Sequence, residues 1–347
     1  MKRLSLILLA LVLVLSFIPS AFAAETIKVF NWEDYISEEV FELFEQETGI
    51  KVDYSNFTTN EDMLIQVESN PGYFDVAFPS DYIIERMITG DMLEKINFDN
   101  IPNFNQIAPN LVSPSYDPTG EYSVPYMWGT VGILYNTTMV DETVDSWAIL
   151  WDTKYQNKVF MYASIRDSMG VALKALGYSM NTRNIAELEA GKDKLIEQKR
   201  SGMVKAYYVD ETKDKMVAGE GALAVMWSGD AQYAIDLNED LTYVVPKEGS
   251  NIWVDGMVIP KGSKNKENAE KFIDFLCRPD IAQINCEEIW YSSPNTGAIE
   301  LMGEEYTENL TMNPTQDIID RCEFFNDLGP AYTAVYNTLW EEVTATK

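Results

Sequence analysis

Strand patterns and helix patterns alternate along most of this 347-residue chain, and the alternation occurs in two separate series. The first series has strand patterns at residues 27–30, 52–57 and 74–78 and helix patterns at residues 38–48, 61–68 and 83–87. We expect Ser37 to cap the first helix and Gly49 to end it, because such residues satisfy the unpaired groups at helix ends. Strands that alternate with helices indicate α/β layers around a largely parallel sheet.

The second series predicts another lobe of the same class. Its strand patterns lie at residues 158–162, 206–209, 222–226 and 241–245, with a helix pattern at residues 185–199. Long helix patterns near residues 264–277 and 331–343 complete the structure. The chain length agrees with two domains, because a single domain commonly has about 150 residues.

Two extended segments, at residues 122–135 and 252–260, carry strand-forming residues with glycine inside. We interpret them as hinge strands, by which the chain crosses twice between two lobes. The predicted division places residues 24–130 plus 256–300 in lobe 1 and residues 131–255 plus 301–347 in lobe 2.

The N-terminus predicts export. Lys2 and Arg3 precede an apolar run over residues 4–18, and the small-residue stretch at 21–23 follows it. This is the pattern of a secretory signal peptide over residues 1–23, cleaved after Ala23. The run is shorter than the roughly 17 to 25 residues that a membrane-spanning helix needs. Because no cysteine directly follows the run, we expect a soluble protein without a lipid anchor in a Gram-negative-type periplasm.

The mature chain is strongly acidic. Of 26 basic residues, Lys2 and Arg3 are lost with the signal peptide, which leaves 24 against 55 acidic residues and a net charge of −31. Such a surface repels nucleic acid and anionic membranes and raises the local concentration of cations. Charge alone names no ligand, since most of these carboxylates are expected only to solvate the surface.

The chain has no histidine, which excludes Ser-His-Asp and Cys-His nucleophilic sites and histidine-based zinc sites. Cys277, Cys286 and Cys322 lack CxxC spacing and are odd in number. A disulfide between Cys286 and Cys322 and buried free thiols both stay open. The sequence also has no glycine-rich phosphate loop. We therefore expect no catalytic residues, no metal ligands and no cofactor.

Open α/β sheets bind their ligands beyond the carboxyl ends of the strands. The side chains that follow the predicted strands are therefore candidates for a site. Aromatic and acidic side chains recur there without a lysine, namely Trp32, Glu33, Asp34 and Tyr35, then Ser80, Asp81 and Tyr82, then Arg166 and Asp167, and then Trp227 and Asp230, while the crossing strand at 252–260 itself supplies Trp253 and Asp255. Carboxylates compensate buried ammonium groups, and aromatic faces attract cations and cover methylenes, so a diamine or triamine is the natural complement.

Each of these residues also has a purely structural explanation. Trp and Tyr often complete a core, Ser80 or Asp81 would also serve as a helix cap, and Asp34 would also serve as a solvated turn residue. Asp230 would likewise cap a helix that begins at Ala231. A sugar site would share the aromatic side chains but have fewer carboxylates, and a metal bound by oxygen ligands would leave the aromatic excess unexplained.

Around these residues the sequence resembles the periplasmic spermidine/putrescine-binding proteins of ABC-type polyamine importers. The matching motifs, in order, are FNWEDY at 30–35, FPSDY at 78–82, YSVPYMWG at 122–129, WVD at 253–255 and YSSPN at 291–295. The resemblance spans essentially the whole mature chain. It implies an α/β, two-lobed periplasmic-binding-protein type II fold with a ligand cleft between the lobes. It also implies hinge closure on the ligand and delivery to a membrane permease powered by a cytoplasmic ATPase.

The family pattern, carried over residue by residue, implies a ligand-binding site without catalytic activity. Its members are Trp32, Asp34, Tyr35, Ser80, Tyr82, Asp167, Trp227, Trp253, Asp255 and Tyr291. Asp255 and Asp167 would pair with amine groups, and the aromatic rings would enclose the alkyl chain.

Three positions favour putrescine over spermidine. Ser164 stands where spermidine-type members have an acidic residue, and Phe325 stands where they have a glutamine. At Asp230 the sequence resembles the putrescine-preferring branch of the family, and Asp230 is the eleventh residue of the expected site. A third ammonium group without a partner would be costly to bury.

The resulting expectation is a monomeric polyamine receptor that partners an ABC permease and binds no nucleic acid. Two alternatives stay open. One is a binding protein of the same fold for another solute, such as an amino acid, a sugar or a metal complex. The other is an exported hydrolase with paired carboxylates, for which the available acids are Asp34, Asp167, Asp230 and Asp255.

Overall fold

The computed structural model of the protein describes residues 24–112 and 114–346. The signal peptide expected at residues 1–23 lies outside this part of the chain. Within it, no helix combines the length and the apolar character that a membrane crossing requires.

The described residues form the following elements in chain order. The strands are β1 (Thr26–Trp32), β2 (Lys51–Phe57), β3 (Val76–Ala77), β4 (Ser123–Asn136), β5 (Val159–Tyr162), β6 (Val204–Tyr208), β7 (Leu223–Trp227), β8 (Leu241–Val244) and β9 (Ile252–Val258). The helices are α1 (Glu38–Thr48), α2 (Asn60–Ser69), α3 (Asp81–Thr89), α4 (Ile165–Ala175), α5 (Ile185–Arg200), α6 (Glu211–Val217), α7 (Ser228–Leu237), α8 (Lys266–Leu276), α9 (Pro279–Ile289), α10 (Thr296–Thr307), α11 (Gln316–Ile319) and α12 (Gly329–Ala345). Short 3-10 helices lie between α3 and β4 and between β4 and β5.

These strands form two sheets that share β4. The first sheet has the order β2-β1-β3-β9-β4, and β1 pairs in parallel with β2 and β3. The second sheet has the order β8-β4-β7-β5-β6, and β5 pairs in parallel with β6 and β7. The strands of each alternating series are therefore parallel to their sequence neighbours, whereas β4 and β9 pair antiparallel at the centre.

The strand β4 passes from one sheet to the other in the middle of its length. Residues 123–130 pair with β9 in the first sheet, and residues 131–136 pair with β7 and β8 in the second. Both β4 and β9 are buried along almost their whole length. The two segments predicted to cross between lobes are thus strands at the junction of the two sheets. The lobe boundaries given above stay a prediction.

The ends of α1 show why the first series folds as predicted. Ser37 Oγ accepts a hydrogen bond from the backbone N–H of Glu39 at 3.3 Å, and Gly49 adopts a left-handed φ of 73°. On the buried face of α1, Phe44 packs edge-on against Phe272 of α8 with ring centroids 5.0 Å apart. The N-terminal and C-terminal parts of the chain therefore share one core.

The helices α4 and α6, like α9, α10 and α11 nearer the C-terminus, were not predicted from the sequence. The helix α4 is buried over nine consecutive residues, Arg166 to Lys174, because it lies between β5 and α5. Gly170 permits this packing, since a Cβ there would lie 2.4 Å from Met180 Cε. In α4 the glycine at 170 interrupts the helical pattern, and the seven residues of α6 are too few to show a helical repeat.

All three cysteines carry free thiols. Cys286 Sγ lies 3.9 Å from Met127 Sδ in the core, and Cys322 Sγ donates a hydrogen bond to the carbonyl of Ile318 at 3.3 Å. Of the two alternatives that the sequence leaves open, the structure has the free thiols.

Candidate functional site

A cavity of about 320 Å³ lies between the two sheets, at the ends of their strands. Every residue that the sequence proposes for the site lines this cavity. These residues are Trp32, Asp34, Tyr35, Ser80, Tyr82, Asp167, Trp227, Asp230, Trp253, Asp255 and Tyr291. The reason is topological, because parallel strands end at a common edge and β4 and β9 hold the two edges face to face.

Asp255 of β9 is a deeply buried carboxylate in the cavity wall, with 5% of its surface exposed. Ser80 Oγ donates a hydrogen bond to Asp255 Oδ1 at 2.6 Å, and Asn60 Nδ2 donates to Ser80 Oγ at 3.0 Å. Burial raises the pKa of Asp255 to about 7, and the hydrogen bond from Ser80 only partly offsets it. An adjacent cation would offset the electrostatic cost of burying this ionised carboxylate.

Ser80 and Asp81 do not act as the helix caps that were the structural alternative. Ser80 occupies the N-cap position of α3, but its side chain makes no capping hydrogen bond and faces Asp255 instead. Asp81 accepts hydrogen bonds from the backbone N–H groups of Tyr82 and Val254, at 2.7 and 3.4 Å. Backbone groups therefore hold the carboxylate of Asp81 inside the wall.

Three aromatic side chains surround Asp255. The ring of Tyr291 packs edge-on against Tyr35 and Trp253, with centroid distances of 5.3 and 5.2 Å. Tyr35 Oη and Trp253 Nε1 are buried and have no hydrogen-bond partner among the described residues. The Tyr35 hydroxyl nevertheless lies close enough to Asp255 to act against the rise in its pKa, and both polar atoms face residues of the cavity wall.

Asp167, in the first turn of α4, is a second buried carboxylate. Burial raises its pKa to about 6, although the hydrogen bond from Ser164 and the charge of Arg166 act in the opposite direction. Glu61 lies near it and accepts a hydrogen bond from Tyr82 Oη at 3.1 Å. The guanidinium of Arg166 lies 5.1 Å from the ring centroid of Tyr82, so it is held against the wall by aromatic faces.

Asp230, in the first turn of α7, is a third carboxylate largely withdrawn from solvent, with 14% of its side chain exposed, and desolvation raises its pKa to about 6. The helix begins at Ser228 and its N-cap residue is Trp227, so Asp230 does not cap it. Gly229 allows the ring of Tyr291 to pack directly on this turn, since a Cβ would lie 2.4 Å from the ring. Asp230 is thereby kept at the cavity wall next to Tyr291.

Trp32 and Trp227 face each other from the two sheets, with ring centroids 6.5 Å apart. Trp32 Nε1 donates a hydrogen bond to the carbonyl of Phe78 at 2.8 Å, which fixes the ring in place. Asp34 lies at the mouth, where its side chain is 74% exposed and its backbone is left-handed with a φ of 50°. The turn conformation expected as the structural alternative for Asp34 is present, and the residue still lines the cavity.

The cavity also contains three charged residues that were not among the candidates from the sequence, namely Glu61, Asp210 and Lys213. Its carboxylates are Glu33, Asp34, Glu61, Asp81, Asp167, Asp210, Asp230 and Asp255, and its basic residues are Arg166 and Lys213. The expectation of a site without lysine was wrong, because Lys213 belongs to the unpredicted helix α6. The position of Glu61 just beyond β2 was a usable signal, since the same strand-end rule applies there. Eight carboxylates against two basic groups make the cavity strongly acidic.

Within residues 24–112 and 114–346, no group of three or more Cys, Asp or Glu side chains is arranged to hold a metal ion. The buried carboxylates are instead spaced around an aromatic box. Such an arrangement is suited to an elongated molecule that carries positive charge at more than one point.

Comparison with known proteins decides the class of the molecule. Residues 39–314 match the family model of the bacterial extracellular solute-binding proteins. The chain belongs to this family. This solute-binding protein is 35% identical over 323 residues to the spermidine/putrescine-binding periplasmic protein of Salmonella typhimurium, and the alignment covers 92% of each chain.

Solved structures give the same result for the fold of this solute-binding protein. A chain from Listeria monocytogenes superposes with a TM-score of 0.90 at 40% identity, covering 93% of this chain and 100% of the other. The spermidine/putrescine ABC transporter substrate-binding protein of Streptococcus pneumoniae superposes with a TM-score of 0.79 at 37% identity, covering 92% and 98%. The two-lobed α/β binding-protein fold is confirmed, and so is the prediction of a binding protein rather than an enzyme.

Proposed function

We propose that this solute-binding protein captures a polyamine between its lobes and delivers it to the membrane permease of an ABC importer. The observation that carries the proposal is the presence of three carboxylates largely withdrawn from solvent, Asp255, Asp167 and Asp230, in one aromatic-lined cavity. The relatives named above as spermidine/putrescine-binding proteins support the same ligand class.

Charge compensation is the physical basis. A buried carboxylate is costly unless a cation pairs with it, and in each of the three the burial is the largest influence on the pKa. The ammonium groups of a polyamine supply positive charge at intervals along an apolar chain. Aromatic faces then cover the methylenes and attract the charges, and Trp32 and Trp227 stand on opposite sides of the cavity for this purpose.

Within this class, putrescine is preferred over spermidine. Ser164 Oγ accepts a hydrogen bond from the backbone N–H of Asp167 at 3.4 Å and so caps the N-terminus of α4. The ring of Phe325 lies 4.2 Å from the guanidinium of Arg166 and offers no polar group to a third ammonium. A ligand with two charges therefore leaves fewer of its groups without a partner than a ligand with three.

All eleven predicted residues take part in this proposal. Asp255 and Asp167 compensate ammonium groups, Asp230 adds a carboxylate on one side of the cavity, Ser80 orients Asp255, and the aromatic residues enclose the chain. Asp34 supplies negative charge at the mouth. We further propose that the protein is exported to the periplasm after cleavage near Ala23, acts as a monomer and needs no cofactor.

Calorimetry on the ligand-free mature protein tests the proposal. The titrants are putrescine, cadaverine, spermidine, spermine and agmatine, with neutral sugars and amino acids as controls. We expect saturable binding of the amines at one site, with putrescine tightest and the neutral solutes inactive. Binding of a sugar or amino acid without any amine would instead indicate another solute, and turnover of a glycoside would indicate a hydrolase.

A further inference from the structure

Lys213 of α6 carries a built-in ammonium group into the cavity. We infer that Lys213 fills one cationic position of the site and thereby limits the number of ligand ammonium groups that the cavity accepts. This inference rests on the proposed polyamine function and assigns its specificity to a residue outside the recognised motifs.

The geometry places Lys213 among carboxylates from both lobes. Its Nζ lies 3.5 Å from Asp34 Oδ2, which follows β1 of the first sheet, and 3.9 Å from Asp230 Oδ1, which follows β7 of the second. The Lys213 side chain is 17% exposed, and its Nζ lies 5.5 Å from the ring centroid of Tyr233. A carboxylate pair with an aromatic face beside it is the environment proposed above for a ligand ammonium.

The ammonium group of Lys213 partly offsets the charge of three surrounding carboxylates. Burial disfavours its charged form, but Asp230, Asp34 and Asp210 together raise its pKa above the ordinary lysine value. Lys213 in turn acts to lower the pKa of Asp230 and of Asp210, both of which burial raises. Replacing it with a neutral side chain would therefore leave this corner of the cavity with three uncompensated carboxylates.

Lys213 differs from the neighbouring lysine of its own helix in what it faces. Its contacts of 3.5 and 3.9 Å are longer than the roughly 2.7 to 2.9 Å of a charge-assisted hydrogen bond. On the same helix, Lys215 binds Glu220 at 3.0 Å on the outside of the protein and does not line the cavity. Lys213 is thus a loosely held cation that faces the ligand space, and Lys215 is its matched surface counterpart.

The ammonium group of Lys213 affects which amines the cavity accepts. A diamine needs two carboxylate positions, and it leaves the corner of Asp34, Asp210 and Asp230 to Lys213. A triamine that extends into this corner meets an ammonium already in place, and like charges repel there in a medium of low dielectric constant. Removing the lysine charge converts this corner into a position for a third ligand ammonium.

Calorimetry on Lys213→Met tests this directly, with Lys215→Met as the control that changes net charge equally on the same helix. The titrants are putrescine, spermidine and N-propylputrescine, which has the chain of spermidine without its terminal ammonium. We expect Lys213→Met to shift the spermidine-to-putrescine affinity ratio toward spermidine by about tenfold or more, about 1.4 kcal/mol. The affinity of N-propylputrescine is expected to be the same in Lys213→Met as in wild type. Lys215→Met is expected to leave the spermidine-to-putrescine affinity ratio unchanged.

The outcomes separate this inference from the proposed function. If the wild type binds amines but Lys213→Met keeps their ratio, or improves spermidine and N-propylputrescine equally, the inference is overturned and the function stands. If the wild type binds no amine, the function itself fails. Thermal unfolding checks that the variant is folded, and Lys213→Gln provides a second neutral side chain on which the same shift must appear.

Discussion

Ser80 and Asp255 are joined by a 2.6 Å hydrogen bond between two segments that are 175 residues apart in the sequence. Their backbones also form an isolated antiparallel bridge, so the start of α3 and the middle of β9 are locked together. The serine hydroxyl is used to hold a carboxylate in the cavity rather than to cap its own helix. The position of Asp255 is therefore fixed before any ligand arrives.

Asp255→Asn is expected to abolish or severely weaken diamine binding. Removing one member of a buried charge pair leaves the ligand ammonium uncompensated, which costs about 2 to 5 kcal/mol of binding free energy. Calorimetry with putrescine measures the loss. The control is Asp53→Asn, an exposed aspartate on β2 that removes the same charge away from the cavity. Binding by Asp255→Asn as tight as that of wild type would place the ligand elsewhere.

Affinity for putrescine is expected to fall as the pH falls. In the unliganded protein the pKa values of Asp255, Asp167 and Asp230 are raised to about 7, about 6 and about 6. A bound ammonium favours the ionised form and lowers these values, so binding is strongest above them and protons compete below them. The ligand amines stay charged throughout, since alkyl amines titrate near the lysine value of about 10.4.

Titrations between about pH 8 and about pH 5.5, in buffers of different ionisation enthalpy, report the protons released on binding. Proton release is expected to increase as the pH falls through about 7, the value for Asp255. Asp167→Asn provides an independent check, because it should reduce the component near pH 6 and leave the part that belongs to Asp230. A pH-independent affinity in wild type would contradict the role of these carboxylates.

Arg86→Met is expected to speed ligand release without touching the cavity. Arg86 of α3 donates to Asp327 Oδ1 at 2.7 and 2.9 Å, and Asp327 precedes α12, which packs on α4 and α5 beside the second sheet. The neighbouring Glu85 accepts a hydrogen bond from the backbone N–H of Asp327 at 2.8 Å. These contacts join α3, which packs on β9, to the segment before α12, and we expect them to stabilise the ligand-bound arrangement.

Both side chains of the Arg86–Asp327 pair are less than one-fifth exposed. We therefore expect Arg86→Met to lose roughly 1 kcal/mol of binding free energy, about fivefold in affinity. Stopped-flow measurements should show that this loss of affinity comes from faster dissociation of the ligand. Lys95→Met is the control, since Lys95 pairs with Glu121 on an exposed surface within one lobe. An unchanged dissociation rate in Arg86→Met would show that the bridge does not stabilise the bound state.

Putrescine is expected to make the protein more compact in solution. The strands β4 and β9 connect the two sheets, and ligand contacts come from both sides of the cavity, so neither lobe alone compensates the ligand charge. Small-angle scattering should show a smaller radius of gyration at saturating putrescine than with the neutral isostere 1,4-butanediol. An equal radius under both conditions would count against hinge bending.

The residues that could be predicted lie at strand ends or inside the predicted crossing strands. Trp227 ends the apolar strand β7, so the rule for open sheets located it without knowledge of the fold, and Asp255 was located as an acidic residue within the crossing strand that is β9. Their neighbours in space could not be predicted, since the contact between Ser80 and Asp255 depends on how β9 inserts between β3 and β4.

Lys213 and Asp167 show what limits such predictions. Lys213 lies on a helix of seven residues, and a segment this short has no hydrophobic repeat by which to recognise it. Asp167 was placed in the site, but the helix α4 that carries it was missed, because Gly170 lies in its middle and weakens the helix signal. Local patterns therefore fail where a helix is very short or is interrupted by glycine.

The crystal structure of the mature protein with putrescine tests the central claim most directly. We predict that putrescine occupies the cavity between the sheets, with one ammonium nitrogen within about 3.2 Å of an Asp255 carboxylate oxygen. The butane chain should lie against the aromatic wall that includes Trp32 and Trp227. Putrescine bound outside this cavity, or bound inside it with no carboxylate in contact with either ammonium, would contradict the account.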